Sequence, residues 1–227
     1  MPNITIDTPD GFALPALHLP STQGAGRPLV LIQEIFGINA AMREAARHWA
    51  GLGFEVLCPD LFARQQAGVD LDPTQPEQFQ AGIDLMLAMD QDRAVRDLDA
   101  ARQWFADRAP GARVAALGYC LGGRLAVRMA LETPVAAAVS YYGVGLEQLL
   151  PAAPAASAPC LLHIAGEDGF VPPPARAAIL AEVERRPAFT AHVYEGCDHA
   201  FARPQGAHYD AAAATLAQSR TLAFLQA

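Results

Sequence analysis

RVAALGYCLGGRLAVRMAL, residues 113–131, is the stretch from which the fold can be read, and Cys120 lies at its centre. Val114-Ala115-Ala116-Leu117 is a short apolar run of strand length that stops at Gly118. From Leu121 onward apolar residues recur at helical spacing, through Leu125, residues 127–129 and Leu131. A strand, a sharp glycine-bounded turn and a helix form the setting of a nucleophile elbow, G-x-S-x-G, written here with cysteine as Gly118-Tyr119-Cys120-Leu121-Gly122. The glycines are expected because a Cβ there would press on the neighbouring strand or helix. The turn sets the sulfur beside the first N–H groups of a helix, which favour a thiolate and then an oxyanion. A buried structural cysteine is the alternative reading of the pentapeptide.

Upstream of the elbow, residues 4–6 and 13–19 read as two strands around a Pro9-Asp10-Gly11 turn. PLVLIQ (28–33) has the continuous apolar character of a strand buried on both faces. Asn39 caps a helix running to about Trp49, and residues 54–58 form the next strand. This rhythm predicts a right-handed βαβ unit and a parallel sheet. After an irregular polar stretch from Pro59 to Pro76, a helix is expected over 77–89 with Phe79, Ile83 and Met86 on one face. A second starts near Asp90 with a stripe of Val95, Leu98 and Phe105. Two helices where one crossover would suffice suggest an excursion beside the sheet, either a wall of the binding cleft or plain packing.

Downstream, strands are expected at 135–141, 160–164 and 189–194, and helices at about 173–185 and 207–225. LLPAAPAASAP (149–159) has the composition of a linker, but a strand follows at once, so it reads as a surface loop inside one domain. With the elbow strand the count reaches about eight. The expectation is an α/β chain with a mostly parallel central sheet, helices on both faces and a single domain over residues 1–227.

Composition bounds the function. Net charge is −8 with no basic cluster, which argues against nucleic acid as a partner. All 16 basic residues are arginine, so a Schiff-base enzyme and a lysine-dependent phosphate loop are excluded. The four cysteines (58, 120, 160 and 197) show no C-x-x-C spacing and no zinc-type pattern with histidine. The N-terminal residues lack the pattern of a signal peptide, and no apolar run reaches membrane-spanning length. A reduced, cytoplasmic monomer is expected, with no cofactor, no metal and no membrane partner.

In α/β-hydrolase folds the partners of the nucleophile follow in the order acid, then histidine, each after a strand. Gly166-Glu167-Asp168-Gly169 follows one predicted strand and Gly196-Cys197-Asp198-His199 the next, at ends that sheet topology brings to one crevice. His199 can take the thiol proton, and Asp168 can fix its tautomer. Asp198 is a poor rival because sequence neighbours rarely point their side chains together; Glu167 is a better one, left open here. His163 and His192 fall inside strands and read as core or surface residues, while His18, His48 and His208 carry no motif.

Gln33-Glu34-Ile35-Phe36-Gly37, Gly118-Tyr119-Cys120-Leu121-Gly122-Gly123, Tyr141-Tyr142-Gly143-Val144-Gly145, Gly169-Phe170-Val171-Pro172 and His199-Ala200-Phe201-Ala202-Arg203 together resemble the dienelactone hydrolase family over nearly the whole chain. The resemblance implies an α/β-hydrolase fold with Cys120, Asp168 and His199 as catalytic residues. It implies the backbone N–H groups of Leu121 and Ile35 as oxyanion hole, and Glu34 as the family's glutamate after the early strand. A carboxylate beside the sulfur would oppose thiolate formation and spare the resting thiol from oxidation; without the resemblance, Glu34 reads as the partner of an arginine.

The family's dienelactone-cleaving members hold the substrate carboxylate with two arginines. One matches Arg203. The other falls on Phe79 by counting from Leu71-Asp72-Pro73, a nearby tyrosine falls on Ile83, and the serine after the histidine is Ala200. Arg203, Phe79, Ile83 and Tyr142 are the expected substrate-binding residues. The expected activity is cysteine-dependent hydrolysis of enol lactones or other activated esters through an acyl-cysteine. A broad aryl esterase and a non-catalytic small-molecule binder on the same scaffold are the alternatives.

Overall fold

The computed structural model describes residues 1–154 and 158–226. Eight strands form a mostly parallel sheet in the order β1-β2-β4-β3-β5-β6-β7-β8, with helices on both faces. Two compact units divide the chain at Ala116/Leu117.

In the N-terminal unit, β1 (Ile4–Asp7) and β2 (Ala13–Leu19) form an antiparallel hairpin in which Ile4 faces Ala16. β2 lies antiparallel to β4 (Phe54–Pro59), which runs parallel to β3 (Arg27–Ile32). β3 ends one residue short of the expected Gln33, whose buried side chain instead accepts the Leu61 N–H at 3.3 Å. The predicted cap holds: Asn39 Oδ1 accepts the Met42 N–H at 3.1 Å and opens α1 (Ala40–Gly51).

The two predicted helices are α2 (Pro76–Ala88) and α3 (Gln91–Arg108), and they differ in kind. α3 buries Val95, Leu98 and Phe105, the predicted stripe, whereas α2 buries only Gly82. α3 is thus the packing helix, and α2 rides half-exposed on the segment that follows β3. Arg64 ties the irregular stretch before α2 to its surroundings: its guanidinium meets both oxygens of buried Asp97 at 2.7 and 2.8 Å and Asp10 at 2.8 Å. That bidentate geometry satisfies the carboxylate fully, as a buried charge requires.

In the C-terminal unit, β5 (Ala115–Tyr119, across the division) leads into α4 (Leu121–Glu132), and β6 (Ala137–Tyr141), β7 (Cys160–Ala165) and β8 (Phe189–Tyr194) run parallel. α4 buries Leu121, Leu125, Val127, Met129 and Leu131, each removal from water worth roughly 1.5–3 kcal/mol for such side chains. α6 (Pro173–Glu184) precedes β8, and α7 (Ala211–Gln226) follows it.

Three expectations need correction here. β5 does not stop at Gly118 but continues to Tyr119. The stretch expected as loop from 149 holds the end of a short helix α5 (Leu146–Leu149) and a 3-10 turn at Leu150–Ala152, anchored by buried Leu150; its residues 155–157 lie outside the described residues. α7 starts at Ala211 rather than 207, because the Tyr209 N–H closes a turn on Gly206 and Asp210 Oδ1 caps the Ala213 N–H at 2.8 Å. Among the described residues no helix is long and apolar enough to cross a membrane.

Candidate active site

The elbow is built from what glycine lacks. A Cβ on Gly118 would strike the Gly122 carbonyl, so β5 passes against α4 at backbone distance, which is why the strand runs through the glycine. A Cβ on Gly123 would meet Ser140 Oγ and the Tyr141 carbonyl, both at 2.8 Å. Between them Cys120 adopts φ 55°, ψ −117° at the head of α4, a region that costs a non-glycine residue about 1–3 kcal/mol. The conformation is held by Cys120 N–H donating to the Tyr141 carbonyl at 3.0 Å and by Arg124 N–H donating to the Cys120 carbonyl at 3.2 Å. The half-buried sulfur thus stands at a helix N-terminus, where the first backbone N–H groups, Leu121's among them, lack partners within the helix.

Asp168 is buried in the turn after β7, and its Oδ2 lies 2.8 Å from His199 Nδ1. Its Oδ1 accepts the Phe170 N–H at 2.8 Å, so both oxygens are engaged. A carboxylate only accepts here, which places the Nδ1 proton on His199 and leaves Nε2 for the Cys120 sulfur. Cys120 and His199 meet through a side-chain hydrogen bond. Burial of the imidazole opposes its charge, but its interactions with the Cys120 sulfur and the Asp168 carboxylate outweigh it and raise the His199 pKa to about 10. Of the rival carboxylates, Glu167 is exposed. Asp198 turns to the backbone and accepts the His199 N–H at 2.6 Å.

Aromatic rings frame the imidazole. Tyr142, buried and at φ 39°, packs edge-on to His199 with centroids 5.0 Å apart. Phe170 packs on it too, at 4.8 Å, yet remains 57 % exposed. The sequence reading gave Phe170 no role; its signal was position, two residues after the acid, where its N–H answers Asp168. Arg203 lies half-buried in the loop after His199, with its N–H donating to the Ala200 carbonyl at 2.9 Å.

The remaining expected residues belong to the N-terminal unit. Glu34 and Ile35 follow β3, both buried. Phe79 packs its ring 5.6 Å from Phe36. Beside Ile83, Gly82 sits so close to the Ile35 carbonyl that a Cβ would approach it to 2.7 Å. Segment 34–37 and α2, the elements carrying these four residues, therefore form one packed cluster.

Of the other thiols, Cys58, Cys160 and Cys197 are buried, and burial raises the pKa of each. Among the described residues no three His, Cys, Asp or Glu side chains converge as a metal site.

The chain matches the model of the dienelactone hydrolase family over residues 14–227. It is 41% identical over 224 residues to a carboxymethylenebutenolidase of Pseudomonas putida, covering 98% of this chain and 94% of that one. It is 37% identical over 212 residues to carboxymethylenebutenolidase 1 of Cupriavidus pinatubonensis, covering 92% and 89%. Among solved structures, the dienelactone hydrolase of Anabaena variabilis superposes with a TM-score of 0.70 over 98% of this chain and 95% of that one. At 19% identity that likeness speaks for the fold alone.

Proposed function

The chain belongs to the dienelactone hydrolase family, and from that premise we propose that it hydrolyses activated carboxylic esters, enol lactones foremost, through an acyl-cysteine at Cys120. The observation that carries the proposal is the alignment of Cys120, His199 and Asp168, with Asp168 Oδ2 2.8 Å from His199 Nδ1.

His199 Nε2 takes the Cys120 thiol proton as the sulfur attacks the ester carbon, which forms a C–S bond and a tetrahedral oxyanion beside the Leu121 N–H. The intermediate collapses by breaking the C–O bond, and the imidazolium proton of His199 Nε2 passes to the departing oxygen. The neutral imidazole then takes a proton from water, whose oxygen attacks the thioester, and the C–S bond breaks to free the acid and restore the starting pair. The family resemblance adds the Ile35 N–H as second oxyanion donor and Glu34 as the carboxylate that tempers the resting thiol.

Leaving-group chemistry narrows the substrate. A thiol of pKa about 8.5 departs more readily than an ordinary alkoxide, so attack on a plain alkyl ester tends to reverse. Enol lactones and aryl esters release more stable anions and let the reaction go forward. Arg203 stands as one anchor for a substrate carboxylate, while Phe79 and Ile83 replace a charged and a polar side chain of the dienelactone specialists. A weaker dependence on that carboxylate follows.

Rapid-quench mass spectrometry with an enol lactone should find the substrate's mass on the Cys120 peptide. Turnover that persists near the wild-type rate in Cys120→Ala overturns the mechanism. Matched substrates with and without the carboxylate test the specificity: a fall in kcat/KM by orders of magnitude without it reveals a second cationic anchor. Glu34→Gln should speed alkylation of the free enzyme while slowing turnover; unchanged alkylation would return Glu34 to a structural role.

A further inference from the structure

His199 is gripped at its ring by Asp168, but a second set of contacts holds the peptide that carries the ring. Asp198 Oδ1 accepts the His199 N–H at 2.6 Å. His208 Nδ1 lies 3.2 Å from the other Asp198 oxygen and 3.2 Å from the His199 carbonyl. The carbonyl only accepts, so Nδ1 carries the hydrogen and donates it to the His199 carbonyl, with the Asp198 carboxylate at the same distance beside it. Asp198, the His199 peptide and His208 therefore close a ring of two hydrogen bonds and one close charge contact around the main chain that carries the imidazole.

Two features show why the peptide needs holding. Ala200, the next residue, has φ 65°, a conformation that an alanine adopts only under constraint from its surroundings. His208 is also rooted in the frame of the unit. Two residues later Asp210 donates its N–H to the Phe201 carbonyl at 3.0 Å and caps α7 through Ala213. Through this ring, the start of α7 reaches back to the backbone of the candidate base.

We propose that His208 is a positioning residue that fixes the backbone of His199, and through it the aim of Nε2 at Cys120. The proposal rests on the reading that His199 serves Cys120 in hydrolysis. Small displacements of a base cost rate steeply, and an exposed hydrogen-bonded pair supplies only part of the restraint. His208→Leu should therefore lower kcat about fivefold to tenfold with little change in KM. Asparagine places its Nδ2 where histidine has Nδ1, so His208→Asn should recover most of the loss.

The second readout needs no substrate. Alkylation of Cys120 by iodoacetamide as a function of pH reports the pairing of sulfur and imidazole, and its profile should shift in His208→Leu and return in His208→Asn. Equal kcat and an unchanged alkylation profile in His208→Leu overturn the proposal. So does an asparagine variant as impaired as the leucine one, since that assigns the effect to the imidazole ring rather than the Nδ1 donor. Failure of the hydrolase reading would show instead as wild-type turnover surviving Cys120→Ala, and the alkylation profiles would still decide the role of His208.

Discussion

Two histidines of the C-terminal unit have both ring nitrogens engaged and behave in opposite ways. His163, in the middle of β7, has Nδ1 2.8 Å from the Tyr194 hydroxyl and Nε2 2.9 Å from Thr221 Oγ1, which in turn lies 2.8 Å from the Tyr141 hydroxyl. Burial, reinforced by His192 and Arg220, pushes its pKa down to about 3. His199 is also largely enclosed, yet its pKa is raised to about 10. The number of hydrogen bonds does not separate them. The charge of the partners does: two neutral hydroxyls against a carboxylate and a sulfur that can ionise. Consecutive residues join the two environments, for the Tyr141 ring packs 4.5 Å from His163 and the Tyr142 ring 5.0 Å from His199. One network secures the strands to α7; the other lies at their ends, around the candidate base.

The largest expected effect that tests this contrast is on turnover. His199→Asn should lower kcat by about two to four orders of magnitude, the usual worth of a positioned general base. A comparable loss in the folded, soluble His163→Asn variant would erase the distinction.

The next effect is on stability as a function of pH. A raised folded pKa means that the His199 contribution is complete below the unfolded value of 6.5 and is lost as pH rises through about 10. The depressed His163 has the opposite sign: its contribution is complete above 6.5 and is lost as pH falls toward about 3. Denaturant melts across pH should show the gap between wild type and His199→Gln closing on the alkaline side. The gap to His163→Asn should close on the acid side. Both gaps closing on the same side would contradict the assignment.

The smallest effect concerns the neutral network alone. Thr221→Val keeps the shape but leaves His163 Nε2 and the Tyr141 hydroxyl short of a partner, which should cost about 1–3 kcal/mol of stability. Urea unfolding measures it, and kcat in the surviving folded fraction should stay within a few-fold of wild type.

Much of this was legible because it depends on spacing. Gly118, Cys120 and Gly122 announce the elbow; the close backbone contacts that exclude a Cβ fall at Gly118 and, one residue past the motif, at Gly123. The alternating apolar runs gave all eight strands to within a few residues. What stayed hidden depends on direction. Glu167 and Asp168 are equivalent as letters; only the turn after β7 sends one to solvent and the other to the imidazole. Phe170 is exposed and His208 sits outside any motif, and neither periodicity nor composition says which way such a side chain leans. The short helix at Leu146–Leu149 escaped because proline and alanine dominate the stretch that follows. The start of α7 was set by one capping aspartate rather than by the apolar pattern around it.

The backbone at Cys120 carries a consequence for handedness. Inverting φ 55°, ψ −117° gives an angle pair that L-residues occupy with ease, so the conformation is natural territory for a D-amino acid. A D-cysteine would rest there without strain, but exchanging the two substituents on its Cα would send the sulfur where the hydrogen now points. Only the L-enantiomer, forced into its mirror image's ground, projects the thiol toward His199. Comfort of the main chain and aim of the side chain are mutually exclusive at this one stereocentre.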